Sequence, residues 1–218
     1  MKIYQIDQLN PEEQLIQLAA QALSEGSVII HPTETVYGLA GIYNNPEVIR
    51  IINNLKNRPE GQPFSIMVDS LENMFRINGN KPLPWLKEFL MRFLPGPLTV
   101  LFPRKKNLDP GFWNQFPDIG FRYPGHPVSL DLIKFAGMPL ITTSANVSGE
   151  PPPCQVREIP DQLLKQIPLI LDGGLTEKGQ PSSIIKINTE TRKIEFIRDG
   201  CIPTIELSNA FNECISLK

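Results

Sequence analysis

Cysteine and histidine are scarce in this chain. Three cysteines, Cys154, Cys201 and Cys214, stand far apart in 218 residues. An odd count without CxxC spacing makes neither a disulfide framework nor a zinc site, and it suits a reducing cytosol. The two histidines, His31 and His126, show no metal-ligand spacing, so no metal is expected on protein side chains. No apolar run reaches the roughly 18 residues that a membrane span needs. The opening MKIYQIDQLN is too polar for a signal peptide. A cytoplasmic protein without membrane contact is therefore expected. GxGxxG, GxxxxGKS/T and GxSxG are absent, which removes the dinucleotide fingerprint, the P-loop and the nucleophile elbow. The net charge of −2 argues against a whole-surface nucleic-acid clamp but allows a local basic pocket.

What is present suits one folded domain over residues 1–218. Hydrophobic residues make up 41%, enough for a sizeable core. The 22 prolines are unusually many. Pro32, Pro59, Pro63, Pro95, Pro97, Pro124, Pro127 and Pro151 to Pro153 stand beside polar motif residues. Proline fixes φ, so these loops read as rigid and shaped.

Periodicity predicts interleaved helices and strands. Asn10-Pro11-Glu12-Glu13 reads as a helix start, and Gly26 as its stop. A short strand follows at 27–30. Asn45-Pro46 opens a helix through Leu55. Strands are expected near 63–68, 98–102, 119–122, 139–142, 169–171, 183–187 and 193–197, with helices near 83–94 and 128–136. Thr204 reads as the cap of a last helix. The expected fold class is α/β: a twisted, open, mixed sheet with flanking helices.

Six polar stretches sit where apolar elements end: PTETVYGL, Lys56-Asn57-Arg58-Pro59, the segment around Arg122, Thr142 to Gly149, Gly179 to Ser183, and Arg198-Asp199-Gly200. In α/β sheets ligands collect at strand ends. Should the loops converge, Lys56, Arg58, Arg122 and Arg198 would sit among many hydroxyls and make an anion pocket. Each stretch also has an ordinary reading. Lys56 and Arg58 can complement a helix dipole, and Arg122 and Arg198 can be strand-end surface residues. Thr33, Thr35, Ser144, Asn146 and Ser148 can be turn formers, Glu34 a solvated charge, and both histidines structural.

Taken in order, PTETVYGL, KNRP, FLPGPLTVLF, FRYPGHPVSLDLI, TSANVSGEPPP, ILDGG and IRDG resemble the YrdC-like family of threonylcarbamoyl-AMP synthases over nearly the whole chain. The resemblance implies an open α/β sheet with a basic concave cavity. It implies a nucleotidyltransferase that uses ATP as substrate, normally with Mg²⁺. L-threonine and bicarbonate give a carbamate, which attacks the α-phosphate and releases pyrophosphate. Downstream enzymes then transfer the threonylcarbamoyl group to an adenosine of tRNA. By resemblance Lys56 and Arg58 match the phosphate-binding KxR. Ser144, Asn146, Pro152 and Arg198 match the ATP side. Thr33, Arg122, Thr142 and Ser182 match the threonine side. Three places depart from the family pattern. Met67 stands where many members have histidine, QPSSI replaces VEST, and RDG replaces RPG. PFSIM and QPSSI resemble the YciO-like branch, which implies an alternative: a nucleotide- or RNA-binding paralogue with weak or no synthase activity.

Overall fold

The computed structural model describes residues 1–57, 64–79, 81–105 and 112–216. Within them, ten strands form one continuous mixed sheet. In chain order they are β1 (Lys2–Gln5), β2 (Ile29–His31), β3 (Gly38–Ile42), β4 (Ser65–Met67), β5 (Leu98–Pro103), β6 (Asp118–Arg122), β7 (Leu140–Ser144), β8 (Leu169–Asp172), β9 (Ser183–Asn188) and β10 (Lys193–Arg198). Their spatial order is β1-β8-β2-β3-β7-β4-β6-β5-β9-β10. The helices are α1 (Glu13–Ser24), α2 (Pro46–Lys56), α3 (Leu71–Asn78), α4 (Pro84–Met91), α5 (Pro127–Ala136), α6 (Asp161–Leu164) and α7 (Thr204–Ile215).

Strand side chains alternate between faces, so register decides what each face carries. On one face Ile30, Leu39, Ile66, Val100, Phe121, Ile141 and Ile185 form a single apolar cluster with residues of α2, α4 and α7, among them Val48, Ile52, Phe89 and Phe211. The opposite face divides along the strands. At one end Ile29, Ala40, Met67, Leu140 and Leu171 pack under α1 and α5. Continuing the alternation towards the other end brings up Gly38, Ser65, Thr99, Arg122, Thr142, Ser144 and Ile184. Cross-strand pairing joins these: Gly38 lies opposite Ser144, Ser65 opposite Thr142, and Thr99 opposite both Arg122 and Ile184. Among the described residues α1 and α5 pack on the apolar end, and the polar end forms the wall of a cavity.

Local signals explain most of these elements. Asn45 caps α2 by accepting from the Glu47 and Val48 amides, with Pro46 at the first helical position. Two expected caps differ. Helix α1 starts at Glu13 after an uncapped Glu12, because the Asp7 carboxylate instead accepts the Leu9 and Asn10 amides in a preceding turn. Thr204 is the first residue of α7 rather than its cap, and its hydroxyl donates to Asp199. Strands β1 and β3 and helices α3 and α6 appear where no element was expected.

Candidate active site

The polar end of the sheet holds a cavity of about 400 Å³, within the range of small-molecule sites. Thr33, Arg122, Thr142, Ser144, Asn146, Pro152, Ser182 and Arg198 all line it. Eight of the ten expected site residues thus share one wall. Lys56 lies behind that wall, and Arg58, with Pro59 and Pro63, falls outside the described residues.

The loop between β2 and β3 is closed by its own hydroxyl. Thr33 Oγ1 accepts the Thr35 and Val36 amides at 3.1 and 3.2 Å. It donates to the Val36 carbonyl at 2.7 Å, and the two threonine hydroxyls meet at 2.8 Å. Thr33 therefore shapes the loop as well as lining the cavity. Glu34, for which a solvated charge was the ordinary reading, is buried, at 4% exposure. Its Oε1 accepts from Arg122 Nη2 at 3.0 Å, and the same nitrogen donates to Thr35 Oγ1 at 2.6 Å. Burial pushes the Glu34 carboxyl up, yet the charge and hydrogen bond of Arg122 outweigh this and hold it below the usual range.

Arg198 reaches the same cavity by a register shift. Phe196 lies opposite Ile185, but Arg198 lies opposite Ile184, so one residue between them is extra. Without this bulge the period of two would put Arg198 on the face of Phe196, among the apolar cluster. The bulge turns it to the face of Ile184 and the cavity. There Arg198 donates to the Ser182 carbonyl at 2.8 and 3.1 Å and to its hydroxyl at 3.1 Å. The Ser182 hydroxyl also meets Thr99 Oγ1 at 2.8 Å. Burial and the like charge of Arg122 both lower the Arg198 pKa. A desolvated guanidinium at the cavity wall favours an anion beside it. Asp199, next in sequence, binds Thr204 and leaves Arg198 to the cavity.

Lys56 ends α2 at 3% exposure. Its ammonium donates to the Ser144 carbonyl at 2.6 Å, the Asn146 carbonyl at 2.7 Å and Asn146 Oδ1 at 3.2 Å. Its own carbonyl accepts the Ser148 amide at 3.0 Å. Asn146 Nδ2 in turn donates to the carbonyls of Val147 and Glu150. The ammonium thus sits beneath the Ser144–Asn146 turn and fixes it.

Sequence reasoning missed Tyr37, Gly38, Ser65, Thr99 and Glu150 as lining residues. Thr99 was readable: in LTVLF it is the polar position between apolar Leu98, Val100 and Phe102, which face the core. Gly38 lies on the cavity floor, where a Cβ would make ordinary contact with His31 Nε2 at 3.4 Å and Thr142 Oγ1 at 3.5 Å. His31 donates from Nδ1 to the Pro32 carbonyl at 3.0 Å, which leaves Nε2 an acceptor. Burial, then the neighbouring His126, depress its pKa to about 3, so the ring is neutral. Its hydrogen bond to the Pro32 carbonyl ties the ring to the start of the β2–β3 loop.

Relatives match over most of the chain. The family model described as telomere recombination, Sua5/YciO/YrdC, matches residues 21–200. A Methanocaldococcus jannaschii protein, whose name as a threonylcarbamoyl-AMP synthase is provisional, is 34% identical over 95% of this chain and 97% of its own length. The threonylcarbamoyl-AMP synthase of Bacillus subtilis is 33% identical over 82% of this chain, which spans 52% of that protein. The crystal structure of Pyrococcus abyssi Sua5 with L-threonine superposes with a TM-score of 0.85 at 30% identity, covering 96% of this chain and 61% of that one. Escherichia coli YciO shares the fold, with a TM-score of 0.82 at 24% identity over 94% of this chain and 98% of its own. With the same sheet and matches along nearly its whole length, the chain belongs to the Sua5/YciO/YrdC family.

Proposed function

We propose that this protein is an L-threonylcarbamoyl-AMP synthase. The observation that carries the reading is the meeting of Arg122 and Arg198 on one hydroxyl-rich cavity wall, reached from β6 and β10. The α-ammonium of threonine and bicarbonate give N-carboxythreonine, with loss of water and one proton. A carbamate oxygen then bonds to the α-phosphorus of ATP, the bond to the bridging oxygen breaks, and pyrophosphate leaves. The attacking group is already an anion. The protein's task is therefore charge neutralisation and alignment rather than proton abstraction by a strong base. Arg122 binds the threonine carboxylate, beside Thr33, Thr142 and Ser182. Ser144, Asn146 and Pro152 hold the nucleotide, with Arg198 and Arg58 at its phosphates.

Lys56 serves this site from behind, by holding the turn that meets the nucleotide. Glu150 is the single carboxylate among the lining residues, and the described residues contain no cluster of three metal-ligating side chains. That donor set fits Mg²⁺ carried by the phosphates and water, with Glu150 the residue available to it; the ion would neutralise phosphate charge. The product would pass to enzymes that modify tRNA. Among the described residues no helix is long and apolar enough to cross a membrane.

The test is incubation with ATP, bicarbonate and labelled threonine. Pyrophosphate release that needs both threonine and bicarbonate is expected, and its absence ends the reading. Tight, salt-sensitive tRNA binding in place of turnover would support the YciO-like alternative. Arg122→Ala should raise the threonine KM and Arg198→Ala the ATP KM. Interchanged effects would reverse the orientation of the cavity.

A further inference from the structure

Arg122 and Arg198 line the same cavity, but their charges are handled differently. Arg198 rests on a neutral partner, the carbonyl and hydroxyl of Ser182. Arg122 is paired with a carboxylate, Glu34, at 3.0 Å, with both side chains nearly buried. Glu34 is not part of the cavity wall; it stands behind Arg122. The pairing is incomplete on both sides, since neither Glu34 Oε2 nor Arg122 Nε has a partner among the described residues. Burying an ion pair is weak evidence for a stabilising role, because desolvation offsets much of the attraction. A carboxylate in this place needs another reason.

Geometry supplies one reason and charge a second. Through Nη2 the guanidinium is fixed to Glu34 and Thr35, so its plane is set before substrate arrives. The Glu34 charge also cancels that of Arg122 inside the protein. The Arg122 end of the cavity is then close to neutral, and the Arg198 end stays cationic. A polyphosphate favours the cationic end. A zwitterion, whose carboxylate and ammonium sum to zero, suits the neutral one.

Resting on the synthase reading, we propose that Glu34 is a positioning residue for the amino-acid end: it aims Arg122 and neutralises it, so that this end selects a zwitterionic α-amino acid over a simple anion. Glu34→Gln keeps an oxygen for Arg122 Nη2 and removes the charge, whereas Glu34→Ala removes both. Wild type is assayed first for threonine-dependent pyrophosphate. If it shows none, the synthase reading fails by itself. Calorimetric titration with L-threonine and with 3-hydroxybutanoate, which lacks the ammonium, then still tests Glu34.

Glu34→Ala should raise the threonine KM roughly tenfold, because a buried donor loses its partner, and leave the ATP KM unchanged. Glu34→Gln should show a smaller rise. It should also shift the preference between threonine and 3-hydroxybutanoate towards the anion by about tenfold, because a unit charge at the site is uncovered. An unchanged preference in Glu34→Gln overturns the proposal. So do parallel losses in ATP and threonine affinity that track a lower melting temperature, since those mark a purely structural residue. Should Glu34→Ala fail to fold, Glu34→Gln decides alone. Wild type that binds neither probe removes the amino-acid end altogether.

Discussion

Lys56 shows how a residue can serve a site without facing it. Its ammonium is committed to the Ser144 and Asn146 carbonyls and to Asn146 Oδ1, at 2.6 to 3.2 Å. Removing it leaves buried carbonyls unsatisfied, which costs about 1–3 kcal/mol. Lys56→Met should therefore lower the melting temperature and weaken ATP binding together, because the turn that loosens is the one that meets the nucleotide. Differential scanning calorimetry and an ATP titration on the same preparation check this. A large affinity loss at unchanged stability would mean that Lys56 contacts phosphate directly and that the buried geometry is not its working one. Arg122→Lys makes the complementary case. Lysine keeps the charge but lacks the fork that reaches Glu34, Thr35 and substrate together. The threonine KM should rise at least several-fold by the size of one charged hydrogen bond, about 1.5–3 kcal/mol, with the ATP KM unmoved. An unchanged threonine KM would mean that point charge alone suffices there.

Elements position these residues through contacts that only small side chains allow. Gly200 follows β10, and a Cβ there would lie 2.6 Å from both the Ser182 carbonyl carbon and the Ser183 amide nitrogen. Those atoms are backbone and cannot swing away. Gly200→Ala must therefore displace the loop that holds Ser182, and with it the anchor of Arg198. We expect a loss of about 1–3 kcal/mol from overpacking together with a raised ATP KM. Chemical denaturation and steady-state assays check both, and an alanine variant equal to wild type in both would contradict the close approach. The same segment marks the limit of what periodicity can read. A strand at 193–197 was legible from its alternating pattern, but the bulge that turns Arg198 to the cavity is a register event between two strands and leaves no mark in either alone. Strand β3, Gly38–Ile42, was hidden for a different reason. Its two glycines weaken a strand signal, yet one of them is required: a Cβ on Gly41 would overlap the Val48 side chain of α2. Convergence of five of the six polar stretches was legible because each ends an apolar element. Burial of Glu34 was not, because it depends on Arg122, 88 residues away.

Across the whole molecule, the sheet divides its labour by face, and the polar end extends inward as a buried layer of titratable groups. His31 is held at a pKa of about 3, by burial first and then by His126. His126 is itself lowered, chiefly by burial, and Glu34 stays below the carboxylate range because Arg122 outweighs its burial. All three shifts have the same sign: the unfolded chain binds protons more readily than the folded one. Stability is then fully present above the unfolded histidine value of 6.5 and falls with acidification. The histidines act between that value and their lowered folded ones, and Glu34 acts only below 4.5. His31 alone should contribute about 1.4 kcal/mol of loss by pH 5.5, from the linkage of roughly 1.4 kcal/mol per pH unit. His31→Gln, which cannot titrate, should flatten the fall in unfolding free energy between pH 7.5 and pH 5.5 by that amount, with the share due to His126 remaining. Because His31 stays neutral throughout this window, it should add no inflection to the threonine KM. Parallel wild-type and variant curves would show that His31 is protonated in the folded chain, and would place a positive charge behind Gly38 where a neutral acceptor is described.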